Sequence, residues 1–134
     1  MKKVWAGLLG VLLVTAGLSA GCATHPAPEA SLPLSMFTDI PLPPELTIDE
    51  KSSQVYEHPV GRVGILKAEG RIGKEAVLSF YREAMGQNGW IKDSEFDNGS
   101  QHLLIFSKSP RSAAITVKEG WVYTDVEINV SAKK

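Results

Sequence analysis

Residues 74–90 have the sequence KEAVLSFYREAMGQNGW, and this stretch predicts the single helix of the chain. Its apolar residues recur at intervals of three and four, which places them on one side of a helix. We expect this stripe to be buried, and it comprises Val77, Phe80, Tyr81, Ala84 and Met85. Gly89 stands where helices often end in a left-handed residue, so the predicted helix runs from Lys74 to Asn88.

Strand-like segments lie on both sides of this helix. We expect two before it and four after it, at Val55–His58, Arg62–Ala68, Trp90–Phe96, His102–Lys108, Ala113–Lys118 and Val122–Val130. Asn98-Gly99 is a strong hairpin signal because both central residues of a type I′ turn have positive φ. Apolar and polar residues alternate through the last segment, from Val122 to Val130, so one face of the sheet should be dry and the other wet. The predicted fold is α+β: an antiparallel sheet with one helix packed on one face, in the order ββαββββ, within residues 53–131.

The N-terminal residues have the layout of a signal peptide. Lys2 and Lys3 precede an uncharged apolar run over residues 4–21. The run ends in Leu18-Ser19-Ala20-Gly21-Cys22, which resembles the lipobox of bacterial lipoproteins, although Ser19 stands where Leu is more usual. That resemblance implies cleavage between Gly21 and Cys22 and a lipid on the Cys22 thiol. The alternatives are an uncleaved anchor helix and cleavage near Ala20 or Gly21 by the ordinary signal peptidase.

A proline-rich segment separates the predicted lipid from the predicted domain. Six of the eight prolines lie between Pro26 and Pro44, so residues 22–52 are interpreted as the lipidated cysteine followed by an extended tether. Residues 36–44 carry Phe37, Ile40 and Leu42, which would let this part pack along the domain as an irregular lead-in.

The chemistry of the chain offers few catalytic groups. A net charge of -1 gives no reason to expect nucleic acid as a partner, and the single cysteine, Cys22, is assigned to the lipid. His58 and His102 are isolated on predicted strands and are interpreted as surface or edge residues. We therefore predict no catalytic, cofactor-binding or metal-binding residues. Spacing by two would place Asp93, Glu95 and Asp97 on one strand face, as a solvated charged face or as a weak cation site.

Two aromatic residues are candidates for a contact surface. Trp121 and Tyr123 share the outward register at the start of the last strand. If both are exposed, they form an aromatic patch suited to a protein partner, and the alternative is packing in the core or at a sheet edge. Trp90 follows the helix and is expected in the core.

Several short motifs resemble a group of uncharacterised bacterial lipoproteins, chiefly proteobacterial. Residues 80–90, FYREAMGQNGW, are similar to the F-Y-x-x-x-M-x-x-x-G-W segment of that group. The resemblance covers residues 39–118, and its other parts are Ile40-Pro41-Leu42-Pro43, Gly64-Ile65-Leu66 followed by Gly70, and Phe106-Ser107-Lys108. It implies a cell-envelope location and no known activity. Ala23 after the cysteine implies the outer membrane, facing the periplasm, because an Asp there favours the inner membrane in such lipoproteins.

These observations predict a lipid-anchored, non-enzymatic envelope protein that serves as a protein-interaction or structural module. Its expected partners are the membrane, through the lipid on Cys22, and an envelope protein. The alternative is a periplasmic module that binds a small ligand or a cation. A hydrolase is a third and weaker hypothesis because no nucleophile lies beside a base in a recognisable motif.

Overall fold

A computed structural model describes residues 36–134 of the chain. It contains seven strands and one helix, in the order β1 Leu46–Ile48, β2 Gln54–Tyr56, β3 Val63–Gly70, α1 Lys74–Gln87, β4 Ile91–Asp97, β5 His102–Lys108, β6 Arg111–Glu119 and β7 Thr124–Ala132. The sheet has the order β1-β3-β7-β6-β5-β4, and β2 pairs with the other half of the same β3 edge that β1 occupies. Every strand pair is antiparallel.

The structure confirms an α+β fold with an antiparallel sheet and one helix. The predicted order ββαββββ is wrong in one respect, because three strands and not two precede the helix within the described residues. The missed strand is β1, which has only three residues and follows a proline-rich stretch, so it carries no alternating pattern of its own. Its pairing with the end of β3 is a long-range contact that local sequence does not encode.

Helix α1 covers part of the inner face of the sheet. Val77, Tyr81, Ala84 and Met85 are buried as predicted, whereas Phe80 is only partly buried against the core. Leu78 is fully buried as well. The helix ends as expected, with Gly89 in the left-handed region at φ +82. The Trp90 amide then donates to the Met85 carbonyl at 3.0 Å. This turn directs the Trp90 ring into the core, where it is 3% exposed.

The proline-rich lead-in, defined as residues 36–45, forms the rest of the cover. Phe37 and Ile40 are completely buried, and Leu42 is 3% exposed. They join one continuous apolar cluster with the helix and the inward residues of the sheet. Residues 36–44 thus pack along the domain, as their apolar side chains indicated, and residues 45–52, which were also placed in the tether segment, are part of the same folded unit. Residues 22–35 lie outside the described residues.

Gly70 allows the lead-in to reach the sheet. A Cβ atom at this position would lie 2.2 Å from the backbone oxygen of Glu45, which is closer than any side chain tolerates. Leu46 follows directly and pairs with Gly70 as the first residue of β1. The lead-in therefore runs along the whole domain, from Met36 beside Arg62 at one end to Gly70 at the other.

A partly buried carboxylate, that of Asp39, fixes the lead-in. Asp39 accepts hydrogen bonds from the Arg111 guanidinium and from Lys108 Nζ, the latter at 2.9 Å. The Asp39 carbonyl accepts a hydrogen bond from the Trp90 indole at 3.0 Å. Arg111 also lies over the Trp90 ring, 5.1 Å from its centroid, and donates to the Arg62 carbonyl. We call these four side chains, Asp39, Trp90, Lys108 and Arg111, the lead-in clamp.

The clamp keeps its carboxylate ionised. Burial by itself raises the pKa of Asp39, but the hydrogen bonds from Arg111 and Lys108, together with their charges, bring that pKa below its usual value. The Arg111 side chain is only 9% exposed, so Asp39 neutralises a cation that is largely removed from water.

Replacing the clamp carboxylate is expected to destabilise the whole domain. Asp39→Ala leaves the buried Arg111 charge unpaired, and breaking such a pair costs on the order of 3 kcal/mol of unfolding free energy. Urea denaturation of the wild type and the variant measures this difference. The control is Glu57→Ala, which removes a carboxylate whose ion pair with Arg62 is exposed and should cost less than about 1 kcal/mol. Equal effects of the two substitutions would contradict the account.

The Tyr81 hydroxyl provides a second stability test. It is buried and has no hydrogen-bond partner among the described residues. Burial raises the pKa of this phenol, so the group is neutral at all ordinary pH values. An unpaired buried hydroxyl costs about 1 kcal/mol or more, so Tyr81→Phe should leave the stability unchanged or increase it. A loss above about 1 kcal/mol in thermal or urea unfolding would show that the hydroxyl has a partner.

Candidate functional site

The hairpin tip between β6 and β7 carries the predicted aromatic patch. Trp121 is fully exposed, with a relative accessibility of 105%, and Tyr123 is 44% exposed. Val122 between them is 58% exposed. It was predicted on the dry face, but β7 begins only at Thr124, because residues 120–123 form the turn. Packing of Trp121 in the core is therefore wrong, and three consecutive apolar side chains project from the tip.

Several contacts hold the hairpin tip in place. The Gly120 amide donates to the Tyr123 carbonyl at 2.8 Å, which closes the turn. The Thr124 hydroxyl donates to the Ile72 carbonyl at 2.5 Å and ties the base of the tip to the loop before α1. The Arg71 guanidinium lies 5.4 Å from the centroid of the Tyr123 ring. The tip is thus presented by an ordered hairpin, and the exposed position of Trp121 is built into the turn.

The outer face of the sheet is open and divides into two halves. Over β4, β5 and β6 it carries a group of apolar side chains among serine, threonine and aspartate. Ile91 is 69% and Phe96 is 59% exposed, and Leu103 and Ile105 are partly exposed. The register places Phe96 opposite Leu103 and Ile105 opposite Ala114, so these four residues are neighbours, whereas Ile91 lies further along β4, opposite Ser107. We call this half the apolar face, comprising Ile91, Phe96, Leu103, Ile105 and Ala114.

Over β3, β6 and β7 the same face is charged. Lys67 and Glu127 are opposite each other and form an ion pair at 3.5 Å. A shallow groove of about 400 Å³ lies here, and its charged lining residues are Asp49, Lys67, Glu69, Lys118, Asp125 and Glu127. The two lysines do not balance the four carboxylates, so the groove has an acidic surplus. We call this half the charged face.

The predicted acidic row on β4 is wrong. The pairing of β4 with β5 shifts between Lys92 and Ser94, so a β-bulge interrupts the alternation of side chains. Asp93 therefore lies on the outer face, where its carboxylate accepts a hydrogen bond from the Ser107 hydroxyl at 2.9 Å. Glu95 and Asp97 are opposite Leu104 and His102, on the inner side. The bulge separates one carboxylate from the other two, which removes the basis for a shared cation site.

A polar cluster instead forms at the inner side of β4. The Glu95 carboxylate accepts hydrogen bonds from the Arg82 guanidinium at 2.5 Å and from Lys92 Nζ at 3.0 Å. His102 Nε2 lies 2.6 Å from the same carboxylate. The Asp97 carboxylate lies 3.4 Å from His102 Nδ1, without hydrogen-bond geometry. His102 was predicted at the surface, but it is only 7% exposed, because it lies on the inner side of the sheet between Asp97 and Val117 and contacts Glu95. The cluster ties α1 to β4 and β5.

The charge of Glu95 is strongly favoured in this cluster. The hydrogen bond from Arg82 is the largest cause, those from Lys92 and His102 add to it, and partial burial opposes it. Together they lower the pKa of Glu95 from 4.5 to about 2. Within residues 36–134, no group of three or more His, Cys, Asp or Glu side chains is arranged to hold a metal ion.

The remaining predictions from the sequence concern residues away from the polar cluster around Glu95. Gly21 and Cys22, the predicted cleavage and lipidation sites, precede the described residues. His58 is exposed, as expected. In the part of the chain that the structure describes, no helix has the length and apolarity needed to cross a bilayer. The apolar face was missed, because Ile91 and Phe96 flank the bulge and so show no simple alternation.

Comparison with known proteins adds no relative. The chain matches no protein-family profile, no curated protein and no solved structure. The resemblance to bacterial lipoproteins therefore remains a prediction from the quoted motifs.

The pKa of Glu95 predicts a specific pH dependence of stability. Because the folded-state pKa is depressed, this carboxylate stabilises the fold fully above about pH 5, and the contribution disappears as the pH falls towards 2. Glu95→Gln should lower stability at neutral pH and flatten its decline between about pH 5 and 2. Urea denaturation across this range measures the effect. Glu83→Gln, on the exposed side of α1, is the control, and identical pH profiles for Glu95→Gln and the wild type would refute the assignment.

Proposed function

We propose that this chain is a lipid-anchored, non-enzymatic module of the bacterial envelope that acts by contact with an envelope protein. The N-terminal sequence supports the anchor, since small residues precede Cys22 at the end of an apolar run. Ala23 supports the outer membrane, with the domain facing the periplasm. A lipid with two or more acyl chains holds a protein stably at a bilayer, so the anchor needs no basic patch on the domain.

The observation that carries the protein contact is the apolar face. Phe96 exposes more than half of its side chain next to Leu103 and Ile105 on the uncovered outer face of the sheet, and Ile91 does so further along β4, opposite Ser107. Contiguous exposed apolar surface rimmed by polar groups is characteristic of interaction sites. Here the charged face adjoins it, with Lys67, Glu69 and Glu127 available to select a partner by charge.

Pairing of two copies of this chain through the free edge of β4, beside the apolar face, is unfavourable. In an antiparallel pair centred on Glu95, the Glu95 side chains of the two copies would lie directly opposite each other. Like charges placed directly opposite each other destabilise a strand pair. The bulge between Lys92 and Ser94 further distorts the edge that a second strand would have to match. These features favour a different protein as the occupant of the apolar face.

Two variants test the proposal in intact cells. Cys22→Ala removes the lipid acceptor, so this variant should leave the membrane fraction, whereas the wild type sediments with it. Phe96→Glu places a charge in the apolar face and should abolish crosslinking to the partner protein while leaving membrane sedimentation unchanged. The matched control is Tyr56→Glu, because Tyr56 is 60% exposed and lies at the other edge of the sheet.

Each result has a defined meaning. Loss of one reproducible crosslinked protein in Phe96→Glu, but not in Tyr56→Glu, supports the contact module. Crosslinks that are unchanged by both substitutions contradict the contact module. They favour the alternative function, a module whose acidic groove binds a small cationic ligand or a cation. Sedimentation of Cys22→Ala with membranes would contradict the lipid anchor.

A further inference from the structure

The hairpin tip, defined by Trp121, Val122 and Tyr123, is separate from the proposed protein-binding face. It lies at the end of the sheet where β3 finishes, since Gly70 pairs with Thr124. The described chain begins at the opposite end, where the Met36 carbonyl accepts a hydrogen bond from Arg62, beside the start of β3. At about 3.3 Å per residue, the strand from Val63 to Gly70 separates the two ends by about 23 Å.

We propose that the hairpin tip inserts into the interface of the same bilayer that holds the lipid on Cys22. This inference rests on the proposed lipid anchor. The domain is then attached to the membrane at two places, by the acyl chains and by Trp121 with its neighbours.

The length of chain before Met36 permits this arrangement. Residues 23–35 connect Cys22 to Met36, and such a segment reaches at most about 45 Å when fully extended. That exceeds the distance of about 23 Å between the hairpin tip and the end of the domain where Met36 lies, which we call the attached end. A tethered tip also meets its own membrane at a very high effective concentration, because the anchor never lets the domain diffuse away. The bilayer is therefore always within reach of the tip.

The side chains of the tip suit the bilayer interface. Trp and Tyr concentrate at membrane–water boundaries because their rings are apolar and carry one polar group. Val122, 58% exposed between them, adds apolar surface without any hydrogen-bonding group, which suits acyl chains better than sugar hydroxyls. Arg71, stacked beside Tyr123, is placed to meet a phosphate of the headgroups.

Charge does not drive the insertion. Lys118 is opposite Asp125 at the base of the hairpin, and Glu119 accepts a hydrogen bond from the Lys74 amide. With Arg71, the charged side chains around the tip carry both signs, so an anionic surface offers no net attraction. Insertion should therefore be equally strong in phosphatidylcholine vesicles with and without phosphatidylglycerol. A basic-patch mechanism would require the anionic lipid.

Insertion would also fix the orientation of the domain. The strands would run roughly parallel to the membrane normal, with the hairpin tip in the bilayer interface. The apolar face, which runs along the sheet, would then stand at the side of the domain and remain open to a protein partner. The end that contains the lead-in clamp would point away from the bilayer.

Tryptophan fluorescence tests this arrangement on the lipidated chain. After cleavage at Gly21, the chain keeps only two tryptophans, Trp90 and Trp121, and Trp90 is 3% exposed. The purified lipidated protein is reconstituted in phosphatidylcholine vesicles containing brominated lipids, which quench tryptophans at membrane depth. We expect strong quenching in the wild type and its loss in Trp121→Phe. A second variant, Tyr56→Trp in the Trp121→Phe background, carries the probe at the attached end and should remain unquenched.

The outcomes separate the two proposals. Protein that floats with the vesicles while Trp121 is quenched by aqueous iodide, and not by brominated lipid, overturns insertion and leaves the lipid anchor intact. Equal quenching at positions 56 and 121 also overturns it, because the domain would then lie on the membrane without a preferred end. A protein crosslinked through position 121 in cells, with Trp121 unquenched by lipid, would make the tip a protein contact instead. Failure of the lipidated chain to float refutes the anchor and this inference with it.

Discussion

The ion pair between Asp39 and Arg111 is the contact on which the rest of the fold depends. An α-helix is about 10 Å across and strands lie about 4.8 Å apart, so one helix covers only about two strands of a sheet. This sheet is six strands wide, and α1 packs against β4 and β6. The inward residues of β3 and β7 need another cover, and the lead-in provides it. Since the lead-in has almost no regular structure of its own, the lead-in clamp must hold it in position.

The clamp also explains why an irregular segment can be part of a core. The Asp39 carboxylate accepts hydrogen bonds from Lys108 and Arg111, and the Asp39 carbonyl accepts one from the Trp90 indole. These groups come from the turn between α1 and β4 and from both strands of the β5–β6 hairpin. One residue of the lead-in therefore ties together elements that lie far apart in the sequence. The prolines on either side of Leu42 lower the entropy that the lead-in loses when it is fixed.

Sequence patterns predicted the elements whose signals are local. Helix α1 begins at the predicted residue and ends one residue early, and β5 has the predicted bounds, because periodicity and the flanking Gly89 and Asn98-Gly99 signals are strong there. Strand β1 was assigned to the tether because it pairs with the distant β3, whereas the apolar residues Phe37, Ile40 and Leu42 did indicate that residues 36–44 pack along the domain. The bulge in β4 has no sequence signature, so Asp93 was grouped with Glu95 and Asp97. Burial of His102 depends on its strand partners Asp97 and Val117 and on its contact with Glu95, which spacing alone does not give.

The candidate contact surfaces also differ in whether local sequence or long-range pairing determines them. The outward register of Trp121 and Tyr123 left both exposure and packing in the core or at a sheet edge open, and the structure exposes both residues together with Val122 in the turn. The apolar face could not be predicted, because its residues become neighbours only through the pairing of β4 with β5 and of β5 with β6. The hairpin tip, the apolar face and Met36, where the described residues begin, lie in three different parts of the domain. The two proposals thus assign separate surfaces to contact with the bilayer and contact with a protein.

Hydrogen exchange tests most directly whether the lead-in is a structural layer of the domain. The Leu46 amide donates to the Pro43 carbonyl, and Phe37 and Ile40 are buried against the sheet. Mass spectrometry of the intact chain should show peptides from residues 36–48 exchanging as slowly as peptides from α1 and β3, and much faster in Asp39→Ala. If residues 36–48 exchange in the wild type as fast as an unstructured tether, the lead-in does not cover the sheet and the account fails.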